Sequence, residues 1–565
     1  MTSSPCDELK SSTSLATRQI HAGRTGSDPG APAAPVQATL PVPIYQSSAF
    51  EFPDHAAAAA MFAQTTPGFT YSRTGNPTVA VLEQKVADLE GGVGAVAMGS
   101  GQSAVAAALL ALISTGPGKH LVVSEKIYGG TVDLLGDTLA DLGATVTYVD
   151  PADPSAWSEA ITEDTRGFFL ESIGNPLATL ADLDAISRIA HERGIPVIVD
   201  STLATPILYR PFEHGADIVV HSATKFFGGH GTSLAGVVID SGRFDWEAEA
   251  ARWPQFTEPR ARWGGISLCE KLRGGSPFLH LCRAKFVHDL GLTLSPFNAS
   301  QIIQGLETLD LRMRRHSDSA ARIAEFLSTH PAVRCVHHPL IEGSADREIA
   351  ERDFPQGVGS VFGFELECSD AAVAGFVDSL RLFKLVANIG DVRSLINHPA
   401  AMTHCRLSEE QRLAGGISWQ TLRLSIGLEA VDDLIADLQS SLDELLRVEA
   451  ARGVEIPAAE GAPGSSTKSL SRYSSECRLR LPSTVSALPA GLSREPRTVT
   501  TSTPTMMPSE RNVGTSTTST CSPPLMNGRL FSCRAWRMSL TDGAPVRPED
   551  EPSGARRDQR QEVQA

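Results

Sequence analysis

The chain has 565 residues, with 65 acidic against 49 basic side chains and a formal net charge of −16. That balance excludes a main role in binding nucleic acid or an anionic membrane, either of which would need an excess of Lys and Arg. The longest uncharged, mainly apolar stretch, Ser103 to Ile113, is too short to cross a bilayer. The opening MTSSPCDELK carries neither the basic nor the apolar region of a signal peptide. Nine cysteines, an odd number with no CxxC pair, predict no disulfide or zinc framework and a reducing, cytoplasmic location.

In chain order, residues 1–70 are rich in Pro and Ala and read as an extended arm, one that could pack on a neighbouring subunit. Residues 71–294 alternate short β-branched runs with helical patterns. GAVAM (94–98), HLVVS (120–124), ATVTYV (144–149), RGFFLES (166–172), PVIVDS (196–201) and ADIVVHS (216–222) read as buried strands, with SAVAAALLALI, GTVDLLGDTLADLG and LADLDAISRIAHERG as helices between them. Strand, helix, strand at this spacing predicts an α/β fold with a mostly parallel sheet covered on both faces. Over 295–456 the pattern changes to one long helical stretch, FNASQIIQGLETLDLRMRRHSDSAARIAEFL, then the strand-like SVFGFELE and TLRLSIGL and a closing helix, DDLIADLQSSLDELLRVEA. This predicts a smaller α+β domain.

Composition shifts at the end. Residues 457–565 hold 29 Ser or Thr, 12 Pro, 13 Arg, one Lys and 10 acidic residues, net +4, leaving the preceding body at −20. Without apolar periodicity this tail cannot offset its ordering entropy and is expected to be disordered. It is read as an extension without a selected function rather than a regulatory arm, so truncation after Arg447 is expected to leave activity intact.

Ligands of open parallel sheets sit outside the carboxyl ends of the strands, where the polar residues of this chain cluster. GSGQSA (99–104) is a Gly-rich turn into a helix whose free N–H groups suit a phosphate, although an ordinary strand-to-helix turn would look the same. Asp200 follows one strand and HSATKFFGGHG the next. Alone, Asp200 reads as a helix cap and Lys225 as a surface lysine. Together they suggest a desolvated, nucleophilic amine beside Ser222 and Thr224, and a carboxylate able to hold a proton on a heteroaromatic nitrogen. His221, His230, His398 and His404 show no metal-ligand spacing and read as structural, so no metal is expected.

HSATKFFGGH, VDSTLATP, YSRTGNPT, YGGT, ESIGNP and RLSIGLE occur in the order and spacing of the Cys/Met-metabolism family of pyridoxal-phosphate (PLP) enzymes, which the chain resembles over about residues 16–448. The resemblance implies PLP-dependent transferase fold type I, with a large PLP-binding domain over 71–294 and a small C-terminal domain over 295–456. It implies that Lys225 carries the cofactor and shuttles protons, and that Asp200 pairs with the pyridinium nitrogen. It places Gly101, Gln102, Ser222, Thr224, Tyr71 and Arg73 around the phosphate, the last two from a neighbouring subunit, so that a dimer is the least active unit and a homotetramer is expected. Tyr128 would stack on the ring and move protons, Asn175 would bond the ring hydroxyl and Arg423 would clamp the substrate carboxylate.

Three features resemble the sulfhydrylase branch of that family: the segment LVANIGDVRSLINHPAAMTH (385–404) with Asn388, which is assigned to the substrate side, the long connection over 241–265, and SPFNASQIIQGLETLDLRM after it. The chain departs from the branch at EPRARWGG, which leaves the acceptor-side loop open. The implied reaction is γ-replacement on O-acetylhomoserine, with Lys225 moving the Cα proton, acetate leaving Cγ, and sulfide or a small thiol taking its place. Cystathionine γ-synthase or γ-lyase chemistry and a catalytically silent PLP-fold scaffold are the alternatives. The intact Lys225, Asp200 and Arg423 set speaks against the scaffold.

Overall fold

The β-branched runs of the first half assemble into one seven-stranded sheet in the computed structural model, which describes residues 13–22, 39–406 and 408–453. The segment 457–565, expected to be disordered, lies outside the described residues, as do 1–12 and 23–38 of the arm. The strands are β1 (Gly94–Met98), β2 (His120–Ser124), β3 (Thr145–Val149), β4 (Thr165–Glu171), β5 (Val197–Asp200), β6 (Ile218–His221) and β7 (Gly236–Asp240), in the spatial order β1-β7-β6-β5-β4-β2-β3. β2 to β6 pair in parallel, and β7 runs antiparallel to both β1 and β6. β7 is absent from the strands read in the sequence. An antiparallel neighbour needs no crossover helix, so the strand-helix alternation that marks the others does not mark it.

Alternate residues of each strand feed opposite faces of the sheet. Val197, Val199 and Val219 join one apolar cluster with the small domain, while Ile198, Ile218 and Val220 join another beneath the helix Gly101–Ile113. That helix begins where the Ser100 side chain accepts from Ser103 N at 3.1 Å. Its Ala-rich face allows close approach to the sheet, and Leu109→Ala in this core would cost about 2–5 kcal/mol. The 241–265 connection packs into the same core: Trp246 lies 5.1 Å from Trp253 and 4.4 Å from Phe256, and Gln255 Nε2 donates to the Ala111 carbonyl at 2.9 Å.

The second sheet comprises β8 (Val333–His337), β9 (Val361–Leu366), β10 (Lys384–Leu385), β11 (Leu395–Asn397) and β12 (Thr421–Ser425), ordered β10-β11-β12-β9-β8. Three of these, β8, β10 and β11, are too short or too mixed to stand out in the sequence. The long helical stretch is two helices, Pro296–Leu306 and Leu309–Ser328. At their junction Gly305 presses against the Phe227 carbonyl, 2.2 Å from where a Cβ would sit. The arm is not wholly extended. Its helix Leu15–His21 docks on the helix Pro77–Glu90 through Arg18–Asp88 at 2.9 Å and Lys85 Nζ to the Gln19 carbonyl at 2.6 Å.

The closing helix runs Val431–Ala451, and its buried Glu449 accepts from Ser369 N at 2.8 Å and Ser369 Oγ at 2.9 Å, capping the helix Asp370–Ser379. A cut after Arg447 would therefore remove a buried cap, and the truncation that tests the tail belongs after Gly453. Cys269, Cys282, Cys368 and Cys405 are free thiols, whereas Cys335 is disulfide-bonded, an exception to the expectation of no disulfide. Among the described residues no helix is long and apolar enough to cross a membrane.

Candidate active site

The parallel strands deliver their carboxyl ends to one edge, and the next few residues of each make the site. After β1 comes Gly101, after β2 Tyr128, after β4 Asn175, at the end of β5 Asp200, and after β6 Ser222 to Lys225. The small sheet adds Asn388 and, on β12, Arg423.

Lys225 Nζ donates to Asn388 Oδ1 at 2.6 Å. Burial, and then the charge of Arg423, lower this amine to about 8. Arg423 is itself 5% exposed and gives Nη1 to Asn175 Oδ1 at 3.3 Å and Nη2 to the Asn388 carbonyl at 3.0 Å. Its Nε is buried without a partner among the described residues, and burial lowers the guanidinium to about 10. A buried cation with only neutral acceptors and one orphan donor is a ready site for a carboxylate. Asn388, assigned from the sequence to the substrate side, thus bridges Lys225 and Arg423.

Asp200 Oδ1 accepts from Thr202 N at 3.0 Å and Thr202 Oγ1 at 2.5 Å, and Thr202 Oγ1 in turn accepts from Ser222 N at 2.8 Å. Burial raises the Asp200 carboxyl, while the Thr202 donors and His221 oppose the rise. On the phosphate side, a Cβ on Gly101 would lie 2.5 Å from Ser222 Cβ, so the helix start and the Ser222 hydroxyl form a tight cradle that only glycine permits. The first N–H groups of that helix, at Gly101 and Gln102, cannot be paired within the helix. Gln102 Nε2 bonds the Gly130 carbonyl at 2.9 Å and ties the cradle to the Tyr128 loop. The Thr224 hydroxyl instead exchanges bonds with Ala235, donating to its carbonyl at 3.2 Å and accepting from its amide at 3.0 Å. Tyr128 is half-exposed at the mouth.

Tyr71 and Arg73 bond elsewhere in the same chain. Arg73 donates to the His288 carbonyl and lies 5.7 Å over the exposed Tyr71 ring. Of the histidines, His221 is buried on Glu90 at 2.5 Å, His398 Nε2 meets the Trp419 carbonyl at 2.7 Å, and His230 Nδ1 meets the Gly228 carbonyl at 2.7 Å. His404 is lowered by burial and then by the charge of Arg423.

Two site-supporting residues escaped the sequence reading. Arg312 is buried and gives Nη1 to the Phe226 carbonyl at 2.7 Å and Nη2 to Gly305 and Phe227 at 2.7 and 3.3 Å, clamping the loop that carries Lys225. Burial lowers it to about 10. Nothing in its helical context marks it apart from other Arg residues. Glu171, inside ESIGNP, accepts from Tyr128 N at 2.7 Å. The motif was visible, but its glutamate became relevant only when β4 was paired with β5.

A lowered lysine amine, a carboxylate one strand away, a glycine cradle at a helix start and an orphan guanidinium are the donor set that PLP with an amino-acid substrate requires. These residues define an enzyme of the PLP-dependent type I class. The sequence pattern of the Cys/Met metabolism PLP-dependent enzymes matches residues 16–443, and the chain belongs to that family. It is 41% identical over 419 residues to an O-acetyl-L-homoserine sulfhydrylase of Leptospira meyeri, covering 73% of this chain and 94% of that one. With an O-acetyl-L-homoserine sulfhydrylase of Corynebacterium glutamicum it shares 42% over 428 residues, 75% of this chain and 95% of that one. A crystal structure of an O-acetylhomoserine (thiol)-lyase from Campylobacter jejuni, containing a pyridoxyl-lysine phosphate, superposes with a TM-score of 0.72 at 36% identity, covering 76% of this chain and all of that one.

Proposed function

We propose that the chain catalyses γ-replacement on O-acetylhomoserine, exchanging acetate for sulfide or a small thiol to form homocysteine or methionine in methionine biosynthesis. The observation that carries this reading is the Lys225–Asn388–Arg423 chain, in which a lowered amine stands beside a buried guanidinium that lacks an anion. PLP, when bound on Lys225, supplies the electron sink that lets protons leave Cα and Cβ.

Arg423 binds the α-carboxylate of the donor amino acid through its two-pronged guanidinium and so fixes Cα. Lys225, whose amine Asn388 Oδ1 holds in this structure, would take the Cα proton, its lowered basicity leaving a useful neutral fraction near neutral pH. Asp200 holds the proton on the ring nitrogen, with Thr202 orienting its carboxylate. Gly101 and Gln102 N–H groups and the Ser222 hydroxyl receive the phosphate, Asn175 turns toward the ring hydroxyl, and Tyr128 covers the ring and exchanges protons at the substrate amine. Thr224 holds the loop that carries Lys225. Acetate leaves far more readily than a free hydroxyl, and no cysteine nucleophile is needed.

The working unit is a homodimer or a larger homo-oligomer in the cytoplasm, with Tyr71 and Arg73 completing the phosphate site of a neighbour. The exposure of Tyr71 and the absence of both residues from the Lys225 bond network support that reading. The test compares homocysteine formation from O-acetylhomoserine and sulfide with cystathionine formation from the same donor and cysteine. A dominant sulfide rate is expected; a dominant cysteine rate would move the chain to cystathionine synthesis. A monomer with full activity would overturn the shared site.

A further inference from the structure

Glu171 ends β4 directly beside Asp200, its partner across the parallel β4–β5 pair, at the roughly 4.8 Å spacing of adjacent strands. Glu171 is 6% exposed. Asp200 is half-buried at the strand end, and a buried carboxylate beside it is strongly disfavoured in its ionised form unless a cation lies between them. The basic side chains nearby are engaged elsewhere: Lys126 lies on Glu125 at 2.9 Å, His221 on Glu90 at 2.5 Å, Lys225 on Asn388 Oδ1 at 2.6 Å, and Arg423 on Asn175 and the Asn388 carbonyl.

The donors decide which acid keeps the charge. Asp200 receives two hydrogen bonds from Thr202. Glu171 accepts from Tyr128 N at 2.7 Å with the Asn175 amide also acting on it, but its Oε2 is buried with no partner among the described residues. A negative charge there would be desolvated and half-satisfied, whereas a proton removes most of that penalty. Burial and the Asp200 charge push the Glu171 carboxyl well above the usual carboxylate range, with the Tyr128 and Asn175 amides opposing; burial raises Asp200 as well, opposed by Thr202 and His221.

We propose that Glu171 is a neutral carboxylic acid and the positioning residue that fixes the Tyr128 backbone beside a charged Asp200. Tyr128 caps the short helix Gly129–Asp133, and its ring packs on Gly130, where a Cβ would meet Tyr128 Cε1 at 2.5 Å. A shift of the Tyr128 backbone therefore moves the ring. A neutral acid can make this bond without competing with Asp200 for the proton of a bound pyridinium. The kinetic consequence rests on the roles given above to Tyr128 and Asp200; the protonation state does not.

The experiment compares Glu171→Gln and Glu171→Leu with the native protein, with and without PLP. At neutral pH the native infrared spectrum is expected to contain the C=O stretch of a buried protonated carboxylic acid that Glu171→Gln lacks. Glu171→Gln keeps an acceptor and no charge, so kcat/KM should stay within about twofold and its pH profile should superimpose on the native one. Glu171→Leu removes the acceptor for Tyr128 N and should lower kcat by about tenfold and shift the visible absorbance of the bound cofactor. No difference band, or a Glu171→Gln variant as impaired as Glu171→Leu, would overturn the proposal. A band present while Glu171→Leu turns over normally would overturn the positioning role alone and would count against the part assigned to Tyr128.

Discussion

The two sheets contribute different kinds of residue to the site. From the carboxyl edge of the seven-stranded sheet come Lys225, Asp200, Ser222 and Gly101, the residues proposed to hold the cofactor. The five-stranded sheet and its loops provide Arg423 and Asn388, the residues proposed to meet the substrate. The first set hangs on consecutive parallel strands, so its spacing follows from the sheet itself. The second depends on a loop crossing back to the first: Val392 N bonds the Gly229 carbonyl at 2.9 Å, and Gly390, at φ +72°, lies so close that a Cβ would sit 2.9 Å from Phe226 N. The placement of Lys225 and Asp200 thus rests on strand order, and that of Asn388 on the docking of two loops.

Removing the first set should have the largest effect. Lys225→Ala should lose the visible band of the covalently held cofactor and lower kcat by about 10³-fold or more; a retained band would sink the assignment of Lys225. On the substrate side, Arg423→Lys keeps a charge but loses the planar fork, and should lower kcat/KM for the donor by about 10- to 100-fold, mostly through KM. An unchanged KM would remove Arg423 from the carboxylate site.

The buried amine also leaves a mark on stability. Lys225 falls from an ordinary 10.5 to about 8 in the folded protein, so below pH 8 its burial disfavours folding by roughly 3 kcal/mol. That penalty fades between pH 8 and 10.5 and is absent above. Lys225→Met without PLP should therefore be the more stable protein at pH 7, with the advantage over the native apoprotein disappearing as pH rises past 10.5. Equal unfolding midpoints at pH 7 would mean that the amine is solvated.

Smaller effects probe the supports. Removing residues 454–565 should leave activity and unfolding midpoint unchanged, whereas a cut after Arg447 also deletes Glu449 and should cost about 1–3 kcal/mol. Urea unfolding of the two truncations separates these outcomes. Asn388→Ala removes one acceptor from Lys225 and should lower kcat about fivefold, in steady-state rates with sulfide. No change would confine Asn388 to holding Arg423 through its backbone.

The glycine turn, Asp200 and Lys225 were legible as candidates because buried strands read as apolar runs and their polar ends stand out against them; β3, also read as buried, is the half-exposed edge strand and was visible through its β-branched residues alone. β7 was not, since an antiparallel neighbour follows without a helix. The break between the helices at 307–308 was hidden because apolar periodicity continues across it. Arg312 and Glu171 were invisible as functional residues for a shared reason: each acts on another residue's backbone, and such bonds carry no side-chain signature.

The linear order of residues therefore determined the fold class, through the alternation of strands and helices, and the cofactor, through the resemblance carried by short motifs at strand ends, and it singled out Lys225 and Asp200 as candidates. Only the tertiary structure decided that Asn388 bridges Lys225 and Arg423, that Thr224 bonds Ala235, and that Glu171 lies against Asp200. Each of these joins side chains or amides from separate elements, and their hydrogen bonds and desolvation exist only once those elements pack.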